Sequence, residues 1–329
     1  MKCLVTGGAG FIGSHVVERL LADGHEVTIL DDFSTGSHKN LKGIVDNQKC
    51  WFYRKDISTD SLDKRFRDID WVFHLAGKAD IVPSIQNPEG YFNSNTLGTM
   101  RVMEACRKTG VKKVIYAASS SCYGDNPAIP TRENWEGINP KYPYALTKYL
   151  GEQIVLHWSQ LYHIPALSLR LFNVYGLRSR TSGAYGAVLG IFLKQKLEGQ
   201  PATVVGSGDQ TRDFVYVTDV ADAFVSAAES RYHSKPINIG GGNPQSINKL
   251  VSLLGFKDTI QIPERPGEPL ITHADISRAR TAIGWMPQIT FEEGVEKVLE
   301  HIEDWRDAPL WTPETIKEAT KDWFEHLGG

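Results

Sequence analysis

Tyr144 and Lys148 stand four residues apart in Tyr144-Ala145-Leu146-Thr147-Lys148. On a helix that spacing puts both side chains on one face. A phenol is a poor base at its ordinary pKa of about 10. Positive charge beside it favours the phenolate, so a neighbouring ammonium turns a tyrosine toward proton abstraction. Ser119-Ser120-Ser121 follows directly on the apolar run Lys113–Ala118. A serine hydroxyl at that place can hold the oxygen from which a tyrosine removes a proton. Together these residues point to acid–base work on a substrate hydroxyl.

A glycine-rich turn points to the partner chemistry. Thr6-Gly7-Gly8-Ala9-Gly10-Phe11-Ile12-Gly13 lies between an expected strand and an expected helix at the very start of the chain. Gly8, Gly10 and Gly13 satisfy G-x-G-x-x-G, and Gly7, Gly10 and Gly13 satisfy G-x-x-G-x-x-G. Without side chains the backbone can approach a pyrophosphate, and the helix N-terminus offers oriented N–H groups. Asp31-Asp32 closes the next expected strand, 18 residues after Gly13. A carboxylate there accepts hydrogen bonds from an adenosine ribose and repels a 2′-phosphate. No arginine occurs from Asp31 to Lys39, which favours NAD over NADP. A nicotinamide cation and the Lys148 ammonium would then both act on Tyr144. Lowering its pKa by about three units takes roughly 4 kcal/mol, within reach of two desolvated positive charges.

These groups need a scaffold. Lys2–Thr6, Glu26–Leu30, Trp71–Leu75, Lys113–Ala118 and Pro165–Leu171 read as strands, and Phe11–Ala22 and Tyr144–Tyr162 as helices. A further helical stretch holds Val102, Met103 and Ala105. Alternating β and α elements predict an α/β fold, a doubly wound parallel (Rossmann) sheet. Ser119 then sits at the carboxyl end of a parallel strand, where such sheets bind ligands. After about residue 174 the pattern loosens. Tyr175–Gly186, Gly206–Arg212, Gly240–Pro244 and Pro263–Pro269 read as loops, and Phe291–Trp305 and Pro313–Leu327 as late helices. The expected division is residues 1–173, with 213–238 returning to them, against a smaller α/β part built from 174–212 and 239–329.

Composition excludes other classes. The chain has 329 residues, 41% apolar and 23% charged, with a net charge of −3. That length can bury a large core without staples. The near-balance gives no electrostatic case for nucleic acid or an anionic membrane. Residues 300–329 carry eight acidic against three basic side chains, a stretch expected to be packed away from chemistry. Cys3, Cys50, Cys106 and Cys122 are scattered, with no zinc-like spacing, so no metal is expected and the thiols are expected to be reduced. No signal peptide or long apolar run is apparent, and the expected location is the cytoplasm.

The motifs as a set resemble the extended short-chain dehydrogenase/reductases, in the NAD-dependent epimerase/dehydratase branch. The resemblance is carried by Thr6–Gly13, Asp31-Asp32, Asp56-Ile57, His74-Leu75-Ala76-Gly77, Asn95 with Gly98-Thr99, Ser119–Gly124, Tyr144 with Lys148, Leu169–Asn173, Arg212-Asp213-Phe214 and Arg265–Glu268. It spans nearly the whole chain and is nearest to nucleotide-sugar 4-epimerases acting on UDP-hexoses. It implies a cofactor site of Gly7, Gly10, Phe11, Ile12, Gly13, Asp31, Asp32, Ser34 and Thr35. Asp56 and Ile57 would flank the adenine, Leu75, Ala76 and Gly77 the pyrophosphate, and Asn95 would support the floor. The family's catalytic Ser/Thr precedes the Tyr of its Tyr-Gly pair by four, which gives Ser119 beside Tyr144 and Lys148. Asn173, Arg212 and Arg265 would hold the substrate's diphosphate and ribose, with Glu268. Tyr185, Ala187 and Val188 would meet the nucleoside.

The implied reaction is transient oxidation at C4 of a UDP-hexose, UDP-N-acetylhexosamine or UDP-uronate, with NAD tightly bound. Dehydratase relatives carry Asp-Glu directly after the catalytic Thr. Here Ser120 and Ser121 stand there, which favours epimerisation. A nucleotide-sugar dehydrogenase or reductase with net NAD(H) turnover is the alternative, and a non-catalytic NAD-binding protein the third. Arg178 and Arg180 would suit a substrate carboxylate or be solvated loop charges, and Asp80 would repel a uronate. Relatives pair as homodimers through helices corresponding to Glu89–Thr109 and Tyr144–Tyr162.

Overall fold

The computed structural model describes residues 1–179 and 188–328. In chain order the first half runs β1 (Lys2–Thr6), α1 (Phe11–Ala22), β2 (Glu26–Asp31), β3 (Cys50–Arg54), α2 (Asp63–Phe66), β4 (Trp71–His74), α3 (Ile81–Gln86), α4 (Pro88–Phe92), α5 (Gly98–Thr109), β5 (Lys113–Ser119), α6 (Pro143–Leu161) and β6 (Ala166–Leu171). There follow β7 (Asn173–Tyr175), α7 (Val188–Leu197), β8 (Ala202–Val205), β9 (Thr211–Arg212), β10 (Phe214–Tyr216), α8 (Val217–Glu229) and β11 (Lys235–Ile239). The chain closes with β12 (Gln245–Ser246), α9 (Ile247–Leu253), β13 (Thr259–Ile262), α10 (Ser277–Ile283), α11 (Phe291–Glu300), α12 (Pro313–Ala319) and α13 (Lys321–Leu327).

Seven strands form one parallel sheet in the order β11-β6-β5-β4-β1-β2-β3. The doubly wound expectation holds. Strand β5 is buried along Lys113–Ala118 because helices cover both faces of the sheet. On one face α1 packs on α8 through Val16, Val17, Leu20, Ala221, Phe224 and Val225. On the other, Val102, Met103 and Cys106 of α5 meet Val155 of α6. Between β1 and β4 the strand order reverses, and Thr6 lies level with Leu30 on one side and His74 on the other. The carboxyl ends of β1, β2, β4 and β5 therefore surround one crevice.

The later chain builds three two-stranded pairs, β10 with β7, β12 with β9, and β13 with β8. Phe192, Leu250, Val295, Val298 and Trp305 form their core.

Three local differences from the sequence expectations have physical causes. The helix expected over Glu89–Thr109 is not α-helical throughout, because Asn93–Leu97 forms a π-helical turn between α4 and α5. The late helix expected over Phe291–Trp305 stops at Glu300, and a 3-10 turn at Ile302–Trp305 carries the Trp305 ring into the core. The helix expected over Pro313–Leu327 is broken at Thr320, whose buried hydroxyl donates to the Ile316 carbonyl and offers the backbone a competing bond.

Candidate active site

The glycine turn is shaped by contact with β4. Gly7 has φ +72°, a conformation side chains rarely adopt, and a Cβ there would lie 2.6 Å from the Ala76 nitrogen. A Cβ on Gly13 would collide with the Gly7 carbonyl oxygen. The turn is pinned by Gly7 N–H donating to Leu30 O (2.8 Å) and Gly10 N–H to Gly7 O (3.0 Å). Asp31 completes it from β2. Its carboxylate accepts from Ala9 N–H (3.0 Å) and Phe33 N–H (2.8 Å). Burial pushes its pKa up, and these two bonds oppose the shift. Asp32 instead accepts from the Ser34 N–H and hydroxyl.

A cavity of about 330 Å³ opens over this turn. Gly7, Gly10, Phe11, Ile12, Gly13, Asp31, Asp32, Ser34, Thr35, Asp56, Ile57, Leu75, Ala76 and Gly77 all line it. Asn95 does not. It lies fully buried beneath, in the π turn, and works as a clamp. Its Oδ1 accepts from Lys78 N–H (2.7 Å), and its Nδ2 donates to Lys78 O (3.0 Å) and to Thr147 Oγ1 (3.1 Å). One side chain thus ties the loop after β4 to the first turns of α6.

Helix α6 carries Tyr144, which does not line this cavity, and Lys148, which is buried with its ammonium beside Gly77 and lines neither this cavity nor the one adjoining it. Both are placed by Pro143 at the helix start, where a missing N–H costs nothing. The Lys148 ammonium lies 4.4 Å from the centre of the Tyr116 ring, a cation–π contact. The Tyr116 hydroxyl donates to Lys148 O (3.3 Å). Behind it His74 is fully buried between Thr6 Oγ1 (2.7 Å) and Thr99 Oγ1 (2.9 Å). Burial, with Lys148 adding repulsion, lowers the His74 pKa to about 3, so the ring is neutral packing. Burial lowers the Lys148 pKa to about 7, with Glu152 one turn on opposing.

In the protein alone burial raises the Tyr144 pKa, Ser119 opposes the shift, and Asp80 adds to it. The lowered phenol expected from the sequence depends on a nicotinamide cation together with Lys148.

A second cavity, about 490 Å³, adjoins the first, and Phe11, Ile12, Ala79, Asp80, Val174, Tyr175 and Leu189 line both. Ser119, Ser120, Ser121, Tyr144, Asn173, Val188, Arg212, Arg265 and Glu268 line the second. Glu268 joins the two arginines, 2.8 Å from Arg212 and 3.5 Å from Arg265. Asn173 Oδ1 accepts from Thr272 Oγ1 (3.0 Å). Tyr185, Ala187 and Arg180 lie outside the described residues. Arg178 does not line either cavity. Its guanidinium pairs with Glu18 on α1 at 2.6 Å. At 26% exposure and tied to α1, Arg178 is not the freely solvated loop charge of one of its two readings.

Sequence reasoning missed several lining residues, among them Tyr142, Gln210, Thr272 and Trp323. Tyr142 alternates with Tyr144 ahead of the helix, and its ring stacks 6.4 Å away at 9°. That pairing was a legible signal. Trp323 carried none, since a tryptophan in an amphipathic helix reads as core.

The model of the NAD dependent epimerase/dehydratase family matches residues 3–240. A UDP-glucose 4-epimerase of Mycolicibacterium smegmatis is 38% identical over 308 residues, covering 91% of this chain and 98% of that protein. Among solved structures, UDP-glucuronic acid 4-epimerase from Bacillus cereus, in complex with UDP-glucuronic acid and NAD, is 34% identical with a TM-score of 0.86, covering 92% of this chain and 99% of that one. UDP-N-acetylglucosamine 4-epimerase from Methanobrevibacter ruminantium M1 is also 34% identical, with a TM-score of 0.85 over 91% of this chain and 98% of that one. With a family match over most of its length and relatives above 30% identity end to end, this chain belongs to the NAD dependent epimerase/dehydratase family.

Proposed function

We propose that the protein is a nucleotide-sugar 4-epimerase that inverts C4 of a UDP-linked sugar with tightly bound NAD. One observation carries the reading. Ser119 and Tyr144 line the larger cavity, which shares Phe11, Ile12 and Asp80 with the glycine-lined one, and serines hold the two places after Ser119. The smaller cavity fits a dinucleotide. Its glycines leave the N-terminus of α1 uncovered, side chains at Gly7 and Gly13 would clash, and two carboxylates stand at the end of β2. Gly7, Gly10, Phe11, Ile12, Gly13, Asp31, Asp32, Ser34, Thr35, Asp56, Ile57 and Leu75–Gly77 would hold the cofactor there, above Asn95.

When bound, NAD supplies the two-electron exchange at C4 and a positively charged ring. Tyr144 accepts the proton of the 4-hydroxyl, and Ser119 donates a hydrogen bond to the oxygen as it becomes a carbonyl. Lys148 holds its charge at the floor between Tyr116 and Gly77, where a ribose can be gripped. The 4-keto sugar turns over within the cavity, and Tyr144 returns the proton on reduction of the opposite face. Neither Ser120 nor Ser121 can act as the acid and base of a C5/C6 elimination. Arg212, Arg265, Asn173 and Glu268 would hold the diphosphate and ribose through charge-assisted bonds, with Val188, Ala187 and Tyr185 toward the nucleoside.

The same reading divides the chain into 1–173 with 213–238 for the cofactor, and 174–212 with 239–329 for the substrate. It also pairs two copies through α4 to α6, where Phe92, Leu146, Leu161 and Tyr162 are exposed. No helix among the described residues is long and apolar enough to cross a membrane. Four buried, unpaired cysteines support a reducing, cytoplasmic location.

A panel of UDP-, dTDP- and GDP-sugars with product identification by NMR tests the assignment. The expected result is interconversion of a C4 pair with no net NADH. Stoichiometric NADH release would instead establish a dehydrogenase. Tyr144→Phe is expected to abolish turnover while retaining cofactor, and full activity in that variant would refute the mechanism.

A further inference from the structure

The acidic C-terminal stretch does not lie away from the site. Trp323, on the last helix, is only 5% exposed and lines the larger cavity. Its indole N–H donates to the Pro266 carbonyl at 2.7 Å. The Arg265 guanidinium carbon lies 5.5 Å from the centre of its ring. Helix α13 also packs on α3, where Gln86 Nε2 donates to Asp322 Oδ2 at 2.7 Å. One short helix thus touches two walls of the cavity, the loop carrying Arg265 and Glu268 and the helix that follows Asp80. The other deeply buried tryptophans behave differently. Trp305 fills the core of the second part, and Trp285 bonds the Asp219 carbonyl, and neither lines either of these two cavities.

We propose that Trp323 is a positioning residue for Arg265, which makes the C-terminal helix part of the UDP-sugar site. The proposal rests on the nucleotide-sugar reading above. An aromatic face takes the weakly hydrated plane of a guanidinium and leaves its N–H edges for oxygen acceptors. Arg265 is held between that face and the Glu268 carboxylate, and the indole N–H ties the loop backbone to the same helix. The side chain is therefore aimed into the cavity before any phosphate arrives, which removes an ordering cost from binding. Phosphate oxygens meeting the Arg212–Glu268–Arg265 cluster find two cations and one anion already arranged.

The test is UDP binding by calorimetry, with the cofactor content and melting temperature of each variant recorded alongside. Trp323→Ala is expected to weaken UDP about tenfold, between the scales of an exposed and a desolvated cation–π contact. Trp323→Phe keeps the ring and loses the tie to Pro266, and is expected to weaken UDP about threefold, the scale of one hydrogen bond. Gln86→Ala cuts only the exposed link to Asp322, and a loss of about twofold is expected from it. In turnover the Trp323 variants are expected to raise KM for the UDP-sugar far more than they lower kcat. Wild-type UDP affinity in Trp323→Phe and Gln86→Ala together would overturn the proposal, even if Trp323→Ala failed to fold. A wild-type protein that bound no UDP would overturn the nucleotide-sugar reading, and this proposal with it.

Discussion

Tyr116 offers the sharpest test of how the Lys148 charge is kept. The ammonium is buried, its pKa is lowered to about 7 by that burial, and the Tyr116 ring lies 4.4 Å away. Replacing Tyr116 by Leu removes the π face, and replacing it by Phe keeps the face and loses only the 3.3 Å bond to Lys148 O. A desolvated cation–π contact is worth about 2 kcal/mol. At 1.36 kcal/mol per pKa unit that corresponds to about 1.5 units. The mechanism needs the charged form, which is lost as pH rises through the Lys148 pKa. Destabilising the ammonium therefore moves the alkaline limb of the kcat profile down by about 1.5 pH units in Tyr116→Leu. At pH 7 the charged fraction falls about fifteenfold, and kcat with it. Tyr116→Phe should leave the limb within about 0.3 units of wild type, about the scale of one weak hydrogen bond. The assay is initial epimerisation rate at saturating substrate from pH 5.5 to 9. An alkaline limb that does not move in Tyr116→Leu would refute the claim that the ring holds the charge.

Other predictions follow from the same geometry. Lys148 binds its proton less tightly folded, near 7, than unfolded, near 10.4. Unfolding between these values takes up a proton, so this residue's contribution to stability rises with pH by up to about 1.4 kcal/mol per unit. Denaturant melts of wild type and Lys148→Met at pH 7 and 8.5 should show the variant's advantage shrinking as pH rises, and a constant difference would contradict this. Gly13→Ala should cost about 1–3 kcal/mol of stability through overpacking against Gly7 and strip the purified protein of NAD; a fully loaded variant would remove the turn from the cofactor site. Glu152 and Arg170 are both buried and bonded at 2.6 Å, and Glu152 also accepts from Ser168. Glu152→Met leaves the Arg170 charge without its carboxylate, with only the Tyr123 hydroxyl and Glu133 carbonyl to bond, and should cost about 3–5 kcal/mol, lowering Tm by about 4–7 °C for a chain of this size. The double variant Glu152→Met with Arg170→Met should recover most of that loss, as read by thermal denaturation.

The parts legible in the sequence are those whose signal is local. The strand and helix periods around Lys2–Leu30 and Lys113–Leu171, the glycine turn and the Tyr144/Lys148 spacing each depend on residues a few places apart. Strand order and the closing of the sheet by β11 depend on contacts between distant segments. The π turn that sinks Asn95 has no compositional mark, because a single wider turn keeps ordinary helix formers. Asp31 reads as a ribose carboxylate, yet both its oxygens already hold backbone N–H groups. The shift of Tyr144 depends on burial, which a motif does not express. The C-terminal stretch carrying Trp323 is misplaced by sequence reasoning, and Arg178 left open, for a related reason. Which wall a surface helix or loop faces is set by the packing of segments more than a hundred residues apart.

The order in which the cavities are lined has a consequence for synthesis of the chain. Every residue lining the smaller cavity lies at or before Gly190, and the sheet and helix α8 that support it are complete by Ile239, whereas the larger cavity is closed by Arg265, Thr272 and finally Trp323. At a ribosomal rate of about 5–20 residues per second, roughly 4–17 s separate Ile239 from Trp323. A nascent chain therefore emerges with its dinucleotide-shaped cavity before the wall for the other ligand exists. The order in which ligands can be acquired is written into the order of translation.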